Sequence, residues 1–445
     1  TQTPLWLGAR HPGELYLSAI LGDGLIEESA WSRDRISEWC AGRPLSPAPP
    51  EELTFEQRLH AHPLQPRIER LTQGPFFHWF GYYDKAQVDP SGRYALSMEV
   101  SFEDRSPRAD DAIGIGIVDL ENGSAWREIG TSRAWSWQQG CMLQWRPGHA
   151  SEVIWNDRKD GQFVMRLLDL ESGEVETFNR PLYHASPDGR KFLSTDFRRI
   201  QDMRPGYGYP GIPDPNRDVL APEDEGIWLV DLETREERLI VSMATIAAVP
   251  YPGADPENDK HYVNHVQWAP GGERFFFLDR WRSPKFGGFR TRAFTAAADG
   301  SSLRVLSDRP GLSHFTWDGD DRVLIWRGGA YRVFPDDGER REIDLLDAPD
   351  GHVSLLEGPW AVTDTYPHGP NREQRLYLWH RESHRLHFLA GLTSPPIYRG
   401  ELRCDLHPRV CPGGRSVIVD STHEGIGRQL YRVTFDALST LDGTK

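Results

Sequence analysis

The chain has 445 residues, with 66 acidic side chains against 51 basic ones and a formal charge of −15. That balance argues against a nucleic-acid partner, which needs clustered cations, yet a few local arginines can still hold an acidic sugar. No apolar run of about 18 residues is present to cross a membrane as a helix.

Forty-two Gly and 34 Pro mark a chain of many turns, and 16 Trp suit both propeller strands and carbohydrate clefts. The four cysteines, Cys40, Cys141, Cys404 and Cys411, form no CxxC pair and no dense disulfide framework, so buried thiols are expected. The chain starts at Thr1. A secreted or periplasmic protein is expected if a signal peptide was removed, and a cytoplasmic one otherwise.

Residues 1–66 differ from the rest. The spacing over Glu14–Trp39 predicts one or two helices, broken off by "LSPAPPEE", and the segment reads as an N-terminal extension or cap. From residue 67 to 445 a repeat takes over. The turns "DPSGR" (89–93), "RPGHA" (146–150), "SPDGR" (186–190), "APGGE" (269–273) and "CPGGR" (411–415) each follow a candidate inner strand. Pro presets φ and Gly supplies positive φ, so each is a hairpin corner.

A second hairpin closes at "VDLENG" (118–123), "LDLESG" (168–173) and "VDLETR" (230–235), giving about four strands per unit. Seven units follow, at 78–130, 140–179, 182–243, 262–307, 312–346, 352–392 and 404–437. The fold class expected is all-β, a seven-bladed β-propeller with a short, partly helical N-terminal extension. "RIERLT" (67–72) reads as an outer strand that completes the last blade beside "QLYRVTF" (429–435).

Inner-strand starts ring one mouth of a propeller channel, so equivalent repeat positions become neighbours. Aligned on the corners, His265, His314 and His407 occupy matching positions, with His352 close to the matching point of the sixth unit. Neutral imidazoles grouped in this way suit Zn²⁺ or Mn²⁺, with Cys404 or Asp405 as an anionic ligand. The ligand set read is His265, His314, Cys404 and His407. Zinc in a structural role is the ion expected if Cys404 binds, with manganese or calcium as alternatives.

A second group lies in the first three units: His78 ahead of an inner strand, Tyr183 and His184 at another strand start, and Arg199 after the next strand. The insertion 204–226, which carries Tyr207, is too long for a turn and is of a kind that often lines a site. Arg280, Arg282, Arg290 and Arg292 crowd a further loop able to hold an anion. His184, Tyr207, Arg280 and Arg290 are the expected substrate-binding residues.

The motifs "HWFGYYDK", "WNDR", "SPDGRKFLSTDFRR", "RPGYGYPG", "GFRTR", "CDLHPR" and "VDSTHEGIGRQLY" resemble those of the seven-bladed propeller lyases: ulvan lyases, rhamnose–glucuronate lyases and, more distantly, oligogalacturonate lyases. The resemblance runs over most of residues 66–437. It implies β-elimination at C4 of a uronic acid in an acidic oligo- or polysaccharide. Such chemistry needs a neutralised carboxylate, a base for the C5 proton and an acid for the leaving oxygen. Arg199, His78 and Tyr183 are the expected neutraliser, base and acid.

Ulvan lyases use a second histidine, and here none lies between His78 and His149; Glu99, Gln139 or His184 takes that place. Two rival readings are a non-catalytic glycan- or protein-binding propeller and a glycoside hydrolase, whose candidate acids would be Asp84, Glu99, Asp157 and Asp196.

Overall fold

The corner turns do close hairpins. In "DPSGR" the Gly92 N–H donates to the Asp89 carbonyl at 2.9 Å, with Gly92 at φ +80°. In "SPDGR" Gly189 stands at φ +67°, where a Cβ would lie 2.1 Å from the Pro147 carbonyl oxygen. Only glycine permits the third blade's corner to abut the second's so closely.

The computed structural model describes residues 6–8, 15–21 and 25–31 as backbone, and residues 66–122, 125–282 and 289–435 with side chains. Two compact units divide the chain, Thr1–Gln57 and Arg58–Lys445. In the first, strands Trp6–Gly8, Leu15–Leu21 and Leu25–Trp31 form a three-stranded antiparallel sheet. The one or two helices expected over Glu14–Trp39 are therefore corrected, over residues 15–21 and 25–31, to two paired strands. "GDG" (22–24) separates two seven-residue runs that pair from Leu15 opposite Trp31 to Leu21 opposite Leu25. The remainder of that expectation, with Cys40 and "LSPAPPEE", lies outside the described residues.

The second unit is a seven-bladed β-propeller of four-stranded antiparallel sheets. Its first six blades span 77–132, 144–178, 184–242, 260–307, 312–347 and 353–393. The seventh takes Arg409–Val410, Ser416–Ser421 and Gln429–Thr434, and its outer strand is Arg67–Arg70 from the start of the unit. Tyr431 pairs with Arg70 and Thr434 with Arg67, as expected of "RIERLT". The closure unites the two ends of the ring, so no blade is left with an unpaired inner or outer strand.

Alternation within strands buries one layer between neighbouring blades. Trp79, Trp135 and Trp137 pack together with ring centroids 5.1 to 5.6 Å apart between the first two blades. Gly116 leaves room for Trp126 to lie flat across the first blade, since a Cβ there would be 2.3 Å from the indole. Among the described residues no helix is long and apolar enough to cross a membrane.

Candidate functional site

The channel site begins with "GYYD" (81–84). Gly81 takes φ +101°, where a Cβ would meet the Gln139 backbone at 2.9 Å, and the Phe80 and Gly81 N–H groups donate to the Asp420 carboxylate at 3.2–3.3 Å. This bend directs two buried rings into the histidine cluster. Tyr82 lies 5.1 Å from both His265 and His407, and Tyr83 lies 5.2 Å from His352. The Tyr83 hydroxyl donates to the Phe315 carbonyl at 2.7 Å and accepts the Phe315 N–H at 3.0 Å.

His265 sits in strand Lys260–Trp268 where the register slips between Asn264 and Gln267, and its φ is +55°. A left-handed histidine inside a strand is uncommon and costs energy. It persists because the Tyr183 hydroxyl accepts its N–H at 2.6 Å. The imidazole is buried and Nδ1 has no hydrogen-bond partner. Burial, reinforced by the charge of Arg204, holds its pKa well below the ordinary value, so the ring is a neutral base.

His352, Asp405 and His407 form a second part of the same cluster. One ligand atom from each lies within 4.8 Å of the others, and all three residues are buried. Asp405 Oδ1 and His407 Nε2 have no hydrogen-bond partner. The Asp364 carboxylate accepts the N–H groups of His352 and His407 at 2.6 and 3.1 Å, and burial raises its pKa to about 7. His314 lies 3.9 Å from His352, its Nδ1 2.9 Å from Asp350 Oδ1.

Over this cluster three segments meet. The Arg403 guanidinium bonds Asp405 at 2.7 Å, Gln138 Oε1 at 2.8 Å and the Tyr207 hydroxyl at 3.1 Å. Arg204 stacks on the Tyr207 ring at 3.9 Å, and its Nη1 is buried without a partner. Burial works to raise the Tyr207 hydroxyl, but Arg204 and Arg403 outweigh it, and the net shift is downward. Tyr207 and His265 are 6.1 Å apart between ring centroids. The assembled groups are a neutral base, an acidic phenol and two guanidiniums: a set able to bind a carboxylate and move protons beside it.

The sequence candidates fall in different places. His265, His314, His407 and Tyr207 come together in this cluster. Cys404 is buried with its thiol pushed up by burial, and it is not among the three grouped ligand residues. His352 and Asp405 stand there instead.

His78 packs inside the first blade, edge-on to Trp126 at 5.6 Å and 3.3 Å from Glu99. Burial lowers its pKa to about 4. Tyr183 is fully buried behind His265, also contacting the Gln139 side chain at 3.1 Å. Half-buried His184 beside it has its pKa lowered to about 4 by burial and then by Lys85.

The Arg199 guanidinium donates to the carbonyls of His261, Asn216, Val219 and Leu220 and to Asp214, so its donors are engaged within the protein. Arg280 is buried opposite Tyr262 with Nε unpartnered, and half-buried Arg290 pairs with Trp281 in the same sheet.

Arg204, Arg403, Tyr82, Asp364 and Tyr366, whose hydroxyl lies 3.3 Å from His314 Nε2, are absent from the sequence candidates. Arg204 opens "RPGYGYPG" and Arg403 directly precedes "CDLHPR". A search for cations flanking those motifs finds both.

No family model matches the sequence, and no curated protein matches it. Among solved structures, an oligogalacturonate lyase in complex with manganese is 14% identical, aligned over 84% of this chain and 95% of its own at a TM-score of 0.60. An oligogalacturonate lyase from Vibrio parahaemolyticus is also 14% identical, over 82% of this chain and 93% of its own, at 0.58. TolB from Acinetobacter baumannii is 16% identical over 78% and 64%, at a TM-score of 0.36. At their TM-scores the two oligogalacturonate lyases share this chain's fold, the seven-bladed propeller.

Proposed function

We propose that the protein is a polysaccharide or oligosaccharide lyase that cleaves the bond at C4 of a uronic acid by β-elimination, leaving an unsaturated uronate. One observation carries this reading: the buried, neutral His265 imidazole, its Nδ1 without a partner, faces Tyr207, which Arg204 and Arg403 flank. The fold shared with the two oligogalacturonate lyases supports it.

The C5 proton becomes removable only when the adjacent carboxylate is neutralised. Arg204, with its free buried Nη1, is the residue able to meet that carboxylate, whereas Arg199 is engaged elsewhere. His265 takes the C5 proton, and Tyr207, whose hydroxyl is acidified by both arginines, protonates the leaving oxygen. His78 is enclosed in the first blade, and the Tyr183 hydroxyl already serves His265 and Gln139, so both act in support of the site in this reading. Arg280 and Tyr262, each with an unpartnered buried polar atom, supply further donors to the sugar.

A divalent cation fits the His352/Asp405/His407 group, because Asp405 Oδ1 and His407 Nε2 are buried without partners. The nitrogen and oxygen donors suit manganese as well as zinc, and without Cys404 the softness argument for zinc falls away. Bound there, the cation would polarise the substrate carboxylate. Tyr82 touches His407 and His265 at the same 5.1 Å, so the group adjoins the proposed base and favours a catalytic over a purely structural ion.

Three of the four hydrolase candidates are ion-paired and the fourth sits beside a histidine. Asp84 is tied to Lys85, Asp157 to Arg166 and Asp196 to Arg198, while Glu99 sits beside His78. The experiment is incubation with uronate glycans while following the ultraviolet absorbance of the unsaturated product and the release of reducing ends. Absorbance supports elimination; reducing ends without absorbance reject it in favour of hydrolysis, and binding with neither favours a non-catalytic module.

A further inference from the structure

We infer that Asp364 is the positioning residue of the His352/Asp405/His407 group, one carboxylate that fixes two candidate ligands carried by two different blades. The inference rests on the reading that this group takes a divalent cation.

Asp364 ends strand Trp360–Asp364 of the sixth blade and is 2% exposed. Oδ1 accepts the His352 N–H at 2.6 Å, and Oδ2 accepts the His407 N–H at 3.1 Å. His352 Nδ1 lies 3.0 Å from both oxygens. Three donors therefore converge on one acceptor group. With a cation bound beside it the carboxylate is ionised and offers only acceptors, so Nδ1 of His352 carries the proton and Nε2 is left bare for the cation.

The same carboxylate steadies His407, whose φ of +45° is otherwise unfavourable for a histidine. The arrangement depends on close approach of the backbones. A Cβ on Gly351 would lie 1.9 Å from the Asp364 carbonyl oxygen, so glycine immediately before His352 lets that residue reach the carboxylate.

An amide cannot reproduce this. The Asp364→Asn side chain would offer one oxygen and one NH₂, and the NH₂ would face an N–H. Loss of such an outer partner weakens metal binding by about 10–100-fold.

The test uses full-length protein stripped of metal and titrated calorimetrically with Mn²⁺ alone and Zn²⁺ alone. Asp364→Asn is compared with wild type and with Asp279→Asn. Asp279 makes the same kind of bond to His261 Nδ1, at 2.9 Å in the fourth blade, and serves as the control for loss of a buried His–Asp pair.

The expected result is Mn²⁺ affinity about 10–100-fold weaker in Asp364→Asn and unchanged in Asp279→Asn. Equal affinity in Asp364→Asn and wild type would overturn the inference. Wild type that binds neither ion would withdraw the cation reading itself, whatever its activity on uronates.

Should Asp364→Asn fail to fold, nitrogen-15 spectra of the wild-type histidines decide the matter. One ring protonated at Nδ1, with Nε2 shifting on Zn²⁺ addition and assigned to His352, supports the inference. A His352 ring protonated at Nε2 overturns it.

Discussion

The Tyr183 hydroxyl accepts the His265 backbone N–H at 2.6 Å, so a side chain of the third blade holds a left-handed residue of the fourth in place. Tyr183→Phe removes that acceptor and leaves a buried donor unsatisfied. The expected loss is about 1–3 kcal/mol of stability. Turnover should fall with it as His265 is released from its geometry. Urea unfolding and steady-state kinetics on one preparation check both.

Arg199 and Arg204 should separate structure from chemistry. Arg199→Gln leaves the buried Asp214 carboxylate and several carbonyls without their donor, so a loss of about 3–5 kcal/mol is expected. Arg204→Gln should preserve the unfolding midpoint and lower kcat/KM on a uronate substrate by about 10²–10³. Chemical denaturation of both variants, with kinetics on the second, measures this.

The buried His78 makes stability depend on pH. Its pKa falls from 6.5 to about 4 on folding, so the unfolded chain binds the extra proton between those values. Stability from this group is fully present above about pH 6.5 and is lost as pH falls towards 4, by at most about 3 kcal/mol. His78→Gln should flatten the slope of unfolding free energy against pH in that window, and a series of urea melts would show it.

Ring closure gives a prediction with an internal control. Leu71 is 1% exposed and its N–H donates to the Leu430 carbonyl at 2.8 Å, whereas Ile68 on the same segment is 43% exposed. Leu71→Ala should cost about 2–5 kcal/mol. Ile68→Lys should change stability by about 0.5 kcal/mol or less. Thermal melts of the pair compare them.

The blades are legible in the sequence because turn chemistry is local. Each Pro/Gly corner declares its hairpin, and "RIERLT" shows its role by having no inner strand before it. The N-terminal unit misleads because its short runs are compatible with either period, and only "GDG" hints at a hairpin turn.

The site is legible to the level of position along a blade and no further. His78 and His265 both belong to inner strands, yet one side chain lies along its blade against Trp126 while the other enters the channel. The register slip at Asn264–Gln267 that redirects His265 has no turn residue to announce it. Arg199 looks like a neutraliser because its five bonding partners come from distant segments and only the fold assembles them. Asp364 escapes for the same reason: its value lies in two histidines from neighbouring blades that meet at its carboxylate.

The central claim is that His265 and its arginine-flanked partner Tyr207 carry out β-elimination on a uronate. The measurement that meets it most directly is the ultraviolet absorbance of unsaturated uronate, followed with Mn²⁺-loaded wild type and His265→Ala on a panel of uronate oligosaccharides. Absorbance should rise with wild type on at least one substrate and fall by several orders of magnitude in the variant. Equal absorbance from the variant, or reducing ends from wild type with no absorbance, would contradict the claim.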